Sequence, residues 1–526
     1  MRSIVRIQAR IALRNAARGK CRTPCSAIRH SSSEVRQWST PLAKQLSEAI
    51  TATGPIPLAS FMRMCLTSDV GGYYTSEQEG RDQFGRKGDF ITSPEISQVF
   101  GELIGIWFVA EWMAQGKKDG VELVEIGPGR GTLMDDMLRT MQNFPAMAEA
   151  IKYVYMVEAS PALREAQRKL LCGDAPMIKT PIGHKSMSKY NDIQVIWVEN
   201  IRDVDSAMFN CQGEGNTPFI VAHEFFDALP IHAFQSIPAP PPPPESTSDT
   251  IQTPTGPIKL PSPSTETKRL QPVGPQWREL VVSPTPPPLT PSPKKKPDEF
   301  HLTLSHAPTP HSLYLPALSP RYKSLLNTPG SLVEISPESQ TYISNIAKMI
   351  GGPNPKPPPK EKSTGKGKIK KREPRGAALI LDYGPSHTIP LNSLRGIHHH
   401  TPVSPFSSPG LVDLSSDVDF TALAETALAS SPGVEVHGPV EQASFLLSMG
   451  IKERAEMLVR GITKEAVVKG EVGSKDAEER KKGIEGAWRR LVDRGGSGMG
   501  KVYKVMAVVP ESGGKRKPVG FGGDVE

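Results

Sequence analysis

VELVEIGPGRGT, residues Val121 to Thr132, decides how the rest of the chain is read. Its first half is a short apolar run with an acid near its end, the pattern of a parallel strand buried between layers of helices. Gly127, Gly129 and Gly131 then alternate with Pro128 and Arg130, and LMDDMLRTM follows with helical spacing. The order is strand, tight turn, helix. Glycine at such a turn takes positive φ and exposes backbone that a β-carbon would shield. The free N–H groups that open the next helix offer donors to an anionic group, so the turn is expected to seat a cofactor.

Spacing narrows the choice of cofactor. The dinucleotide fingerprint is G-x-G-x-x-G, whereas here the third glycine comes one residue early and Glu125 stands two places before the first. This acid-x-G-x-G-x-G pattern resembles the first motif of class I S-adenosylmethionine-dependent methyltransferases. Tyr153 to Val157 reads as the next strand and ends in Glu158; the resemblance gives that position an acid that accepts hydrogen bonds from two ribose hydroxyls. A plain strand-to-helix loop is the alternative for the glycines alone. Two acids at the ends of successive strands favour the cofactor.

At 526 residues the chain has room for two or three domains. Its 52 prolines, roughly twice the usual share, cluster in two stretches, which leaves one large α/β domain with elaborations. No apolar run approaches the length of a membrane span, so no transmembrane helix is expected. The charge of +8 lies largely in the N-terminus and a lysine-rich stretch, without a basic patch interleaved with aromatics. Nucleic acid is therefore not an expected partner. Cys21, Cys25, Cys65, Cys172 and Cys211 form no C-x-x-C pair and no zinc-like spacing, as expected of free thiols in a reducing compartment.

Residues 1–33 contain no acid and carry Arg2, Arg6, Arg10, Arg14 and Arg18 with apolar residues between, then Ser31 to Ser33. That is the profile of a mitochondrial transit peptide; a disordered basic tail is the alternative. Residues 41–115 read as an N-terminal helical segment with a cofactor-covering loop. Proline at Gly54-Pro55 splits two short helices. Later, Thr92 or Ser93 caps a helix with Pro94 at its first position. Polar residues of the loop before it, Asp89, Thr92, Ser93 and Glu95, fit a lid over a cofactor and a surface cap equally well.

Residues 120–510 read as the main domain. Val195 to Val198 is a third strand, and Pro218 to His223 a fourth, running into Glu224-Phe225-Phe226-Asp227. Ligands of open α/β sheets collect outside the carboxyl ends of the strands, which sets Glu224 and Asp227 beside the cofactor, with Phe225 and Phe226 as walls. Capping of the following helix is the alternative role for the two acids. Residues 236–297 and 352–374 are too rich in proline and polar groups to offset their ordering entropy and read as disordered inserts. Within and just after the first, Trp277 to Val282 and Phe300 to Leu304 form a candidate hairpin. Leu332 to Ile335, Ala377 to Asp382 and Tyr503 to Val509 are further strands. His398 to His400 lack partners at ligand spacing, so no metal is expected.

With these residues in view the chain resembles the MidA family of mitochondrial protein arginine methyltransferases. The matching pieces are GDFITSPEISQVFGELIGIW (88–107), LVEIGPGRGTL (123–133), AHEFFDALPIHAFQ (222–235), QWREL (276–280), LDYG (381–384) and LVDLSSDVDF (411–420). The two inserts and the region after Lys469 depart from the family pattern. The resemblance implies a Rossmann-like class I methyltransferase fold, a mainly parallel seven-stranded sheet with its last strand antiparallel. It implies S-adenosylmethionine held by Glu125, Gly127, Gly129, Gly131 and Glu158, with Asp89, Thr92, Ser93 and Glu95 closing the pocket. It also implies methylation of a core subunit of respiratory complex I in the mitochondrial matrix, in support of complex I assembly. Guanidinium stays protonated in ordinary protein surroundings. A carboxylate pair can hold it bidentately and accept its proton as the C–N bond forms, the role expected of Glu224 and Asp227. A non-enzymatic assembly factor that binds the cofactor, or a small-molecule methyltransferase, are the alternatives.

Overall fold

The computed structural model describes residues 36–75, 91–204, 216–239, 250–253, 256–259, 274–286, 297–353, 373–470, 473–496 and 498–522. The expected transit peptide, Asp89 and most of the lysine-rich stretch lie outside them. Thr40 Oγ1 accepts the Ala43 N–H at 3.0 Å and starts α1 (Pro41–Thr53), which ends at Gly54 with φ +90°. A two-residue strand, β1 (Ile56–Pro57), separates it from α2 (Leu58–Thr67), the break expected of Gly54-Pro55. Thr92 and Glu95 cap each other across the first turn of α3 (Ser93–Ile96), and Ser97 starts α4 (Gln98–Ala114).

Among the described residues the main sheet has nine strands. β2 (Val121–Ile126), β3 (Ile151–Val157), β6 (Gln194–Val198), β7 (Thr217–His223) and β14 (Ala377–Tyr383) run parallel, in the spatial order β14, β7, β2, β3, β6. β19 (Tyr503–Pro510) runs antiparallel between β14 and β18 (Val434–Glu441). Together they make the seven-stranded sheet with its last strand reversed that the resemblance implies, although β18 was not among the strands read from the sequence. β4 (Ile178–Thr180) and β5 (Gly183–Met187) extend the β6 edge as an antiparallel hairpin. Their polar, half-exposed residues give no apolar run, which is why the sequence hid them.

Side chains on a strand alternate between faces, and the parallel strands are apolar on both. Leu123, Met156, Trp197, Val221 and Leu381 face one core with α4 and α5 (Thr132–Met141). Val124, Val157, Ile196, Ile220 and Ile380 face the other, against the helices Pro337–Gly351 and Phe420–Ser430. Covered on both sides, the sheet presents its ligand-binding edge only at the strand ends.

A second, antiparallel sheet is built from β8 (His232–Ile237), β11 (Gln276–Pro284), β12 (Phe300–Leu304), β13 (Leu332–Ile335) and β1. β11 and β12 form the expected hairpin, Leu280 opposite Leu304, while β8 and β1 take the other edge of β11. β13 pairs with β8, so Leu332 to Ile335 belongs to this sheet and not to the main one. Within 236–297, β11 buries Trp277, Val281 and Val282, the apolar positions that make it order, and β9 (Thr250–Thr253) pairs with β10 (Gly256–Lys259). A small third sheet joins β15 (Arg395–His398), β16 (Thr401–Val403) and β17 (Asp413–Ser415). Leu46, Phe61 and Met62 of the two N-terminal helices pack on Val282, Phe300 and Leu414, which ties α1 and α2 to both smaller sheets. Among the described residues no helix is long and apolar enough to cross a membrane.

Candidate active site

A cavity of about 630 Å³ opens at the carboxyl ends of the parallel strands, between them and the cover made by α2, β15 and β17. Its floor begins with the turn after β2. Gly127, Gly129 and Gly131 sit at φ +67°, +52° and +84°, the left-handed region that costs other residues strain. Gly127 donates to Val157 O at 3.1 Å, tying the turn to the end of the neighbouring strand. A β-carbon on Gly131 would stand 3.2 Å from Gln167, and Gln167 Nε2 donates to Gly129 O at 2.6 Å.

Two acids flank this turn. Glu125, at the end of β2, is buried; one oxygen takes the Met134 N–H at the start of α5 and Oε2 has no hydrogen-bond partner among the described residues. Burial lifts its carboxyl to about 8. Glu158 follows β3, where it accepts the Ser160 N–H at 2.8 Å and Gln167 Nε2 at 3.3 Å. Burial lifts it to about 7 against those donors. A buried carboxylate oxygen without a partner is costly unless something fills the space, and the bare turn leaves room for backbone contact. These residues fit a cofactor with a cationic and a diol end.

On the other side of the cavity the chain leaves β7 through His223 and Glu224. Glu224 takes φ +49°, an uncommon conformation for a residue with a side chain. Its carboxyl faces the Tyr503 hydroxyl and the Ser93 N–H, and Oε1 is buried without a hydrogen bond among the described residues. His223 Nε2 lies 3.4 Å from that oxygen, but burial lowers His223 to about 3, so the imidazole is neutral and makes no ion pair. Burial and the nearby Asp227 raise Glu224 to about 8. Asp227 receives the Tyr383 hydroxyl on Oδ2 and leaves Oδ1 buried and without a hydrogen-bond partner among the described residues; burial raises it as well.

The loop itself hangs on a residue to which the sequence assigned no role. Asp382, fully buried near the end of β14, accepts the N–H groups of Phe225, Phe226 and Asp227 on Oδ2 at 3.1, 2.9 and 3.3 Å. Its Oδ1 takes the Tyr383 N–H at 2.9 Å. The signal was in LDYG, an acid closing an apolar strand, but three of its four partners are backbone groups more than 150 residues away.

Of the residues named from sequence, Glu125, Gly127, Gly129, Glu158, Thr92, Glu95, Glu224 and Asp227 line this one cavity, and Gly131 closes the turn beneath it. Glu95 caps Thr92 and lies 3.7 Å from Arg130. Ser93 stands behind the wall, its N–H serving Glu224. Phe225 lines the cavity, but Phe226 is buried in the core and is no wall. Tyr74, Tyr383, Arg395 and Tyr503 also line it, and no spacing in the sequence announced them. Tyr503 arrives because β19 is antiparallel, which brings its first residue to the edge where the other strands end.

His398 lies at the end of β15, with His399 and His400 in the turn that follows. A separate group, His232, Glu279 and His311, gathers on the second sheet. Its His232 Nδ1 to Glu279 Oε1 distance is 2.6 Å, a hydrogen bond, whereas two ligands of one tetrahedral zinc stand about 3.3 Å apart.

The family model described as "Putative S-adenosyl-L-methionine-dependent methyltransferase" matches residues 103–440. The mitochondrial protein arginine methyltransferase NDUFAF7 of Rattus norvegicus is 32% identical, over 80% of this chain and 76% of its own. Its counterpart in Xenopus tropicalis is 30% identical over 97% and 96%. A Burkholderia thailandensis protein crystallised with S-adenosyl-homocysteine shares the fold at a TM-score of 0.55 and 20% identity, covering 92% of both chains. With the glycine turn, its two acids and the seven-stranded sheet in place, the chain belongs to the S-adenosyl-L-methionine-dependent methyltransferase family that includes mitochondrial NDUFAF7.

Proposed function

We propose that the protein methylates a guanidinium nitrogen of an arginine in a protein substrate, in the mitochondrial matrix, and that the substrate is a core subunit of respiratory complex I. The observation that carries the arginine assignment is the pair of buried oxygens, Glu224 Oε1 and Asp227 Oδ1, that have no hydrogen-bond partner among the described residues and belong to residues lining the cofactor cavity. A guanidinium supplies a planar fork of N–H donors and a positive charge, which answers both needs at once. Two neighbouring carboxylates cannot both ionise cheaply in a buried site; a bound cation reverses that cost and draws both into the charged form. Mitochondrial relatives named as protein arginine methyltransferases support the reading, and the motif resemblance supports the complex I substrate.

When bound, S-adenosylmethionine supplies an electrophilic methyl group. Glu125, the glycine turn and Glu158 hold the cofactor. Glu224 and Asp227 grip the guanidinium, localise its charge away from the reacting nitrogen and take up the proton released as the C–N bond forms. Mass spectrometry of complex I subunits incubated with the protein and methyl-labelled cofactor tests the reading. It predicts label on arginine; label confined to a metabolite or to another residue type counts against it.

A further inference from the structure

We propose that Tyr383 and Tyr503 are positioning residues for methyl transfer: each ties down one oxygen of a buried carboxylate and leaves the other oxygen open to the acceptor. This rests on the assignment of Glu224 and Asp227 as the acceptor pair. Tyr383 ends β14, Tyr503 begins β19, and the two are register partners across the antiparallel pair. Their rings meet edge to face, with centroids 5.3 Å apart. From this shared base the Tyr383 hydroxyl donates to Asp227 Oδ2 and the Tyr503 hydroxyl faces the Glu224 carboxyl.

A carboxylate with two satisfied oxygens has nothing left for a guanidinium, and one with two free oxygens is held only by its own torsions. One tyrosine per carboxylate avoids both conditions. Arg395, itself in the cavity wall, braces the arrangement, its guanidinium 4.4 Å from the centre of the Tyr383 ring and 2.7 Å from Asp417. The hydroxyls also bear on charge. Both tyrosines stay protonated, since burial and the carboxylates push them well up. A hydrogen bond donated to a carboxylate favours its ionised, proton-accepting form. The other groups that bear on Asp227 are Glu224, Asp382, Arg395, Tyr74 and the Ala228 N–H; those that bear on Glu224 are Asp227, Asp382, Glu95, His223 and the Ser93 N–H.

The test uses the full chain with Tyr383→Phe and Tyr503→Phe, which keep the ring contact and remove only the hydroxyls. Binding is read by calorimetry with S-adenosylhomocysteine, and transfer by label from methyl-labelled S-adenosylmethionine into mitochondrial protein extract across pH. The proposal expects unchanged binding, transfer lowered about tenfold or more, and an acid limb of the pH–rate profile moved to higher pH. The direction follows because a carboxylate that loses its donor ionises later. A rate at the wild-type level, or a lowered rate with an unmoved acid limb, overturns it. Glu224→Gln and Asp227→Asn separate the two levels: if these also transfer normally, the acceptor assignment itself fails. If they do not transfer while the phenylalanine variants behave as wild type, only the tyrosine proposal falls.

Discussion

The ring of Phe225 lies 2.7 Å from the point a β-carbon on Gly127 would occupy. The cofactor turn after β2 and the acceptor loop after β7 are thus in direct contact, as the parallel pairing of the two strands requires. An absent side chain on one is what admits the ring of the other.

Gly127→Ala is expected to damage both halves of the site. At φ +67° alanine carries strain of about 1 kcal/mol, and its methyl displaces Phe225, which stands between Glu224 and Asp227 in the chain. Calorimetry with S-adenosylhomocysteine and a labelled transfer assay should show weaker binding together with slower transfer. Weaker binding with an intact rate at saturating cofactor would mean that the two loops are independent.

Glu158→Ala removes the acid between the Ser160 N–H and Gln167 and takes away two charge-assisted hydrogen-bonding oxygens. Hydrogen bonds to charged groups contribute about 1.5–3 kcal/mol, so affinity for S-adenosylhomocysteine should fall between about tenfold and a hundredfold. An unchanged dissociation constant in the folded variant would move the cofactor elsewhere.

Burial sets the dependence of stability on pH. Glu158 rises to about 7, and Glu125 and Glu224 to about 8, from an ordinary 4.5. Above the unfolded value and below the folded one, the native state holds protons that the unfolded chain has released, so stability falls as pH rises. His223, lowered from 6.5 to about 3, works the other way below pH 6.5. The cofactor-free protein should therefore melt at a lower temperature at pH 8 than at pH 6.5 in a thermal scan. A rise over that interval contradicts the buried, protonated state of these acids.

The sheet was legible because its strands are apolar on both faces, and the turn because glycines and acids there answer to local geometry. Glu224 and Asp227 were legible by position, one strand end being like another in an α/β sheet. Tyr383, Tyr503 and Arg395 were not. They come from separated strands, and nothing local marks a residue whose partner is set by an antiparallel crossing. Leu332 to Ile335 shows the same limit in the fold: its apolar pattern announced a strand, but pairing with β8 decided which sheet it joined.

Asp382→Asn keeps the size of the side chain but leaves a single acceptor oxygen where two serve four N–H groups. Either the Phe225 to Asp227 loop or Tyr383 then loses its anchor. Misplacement of reacting groups by about 1 Å can cost a hundredfold in rate, so transfer should drop on that order, with a much smaller loss of cofactor affinity passed on through the contact of Phe225 with the glycine turn. A proportional loss of both would make Asp382 a residue of general stability only.

Single-turnover transfer from enzyme-bound, methyl-labelled cofactor is the most direct measure of whether the unpartnered carboxylate oxygens do the chemistry. It compares wild type with Asp227→Asn at saturating cofactor. The account predicts a rate lower by about a hundredfold or more, with the label that does transfer still found on arginine. A variant that transfers at the wild-type rate would contradict it.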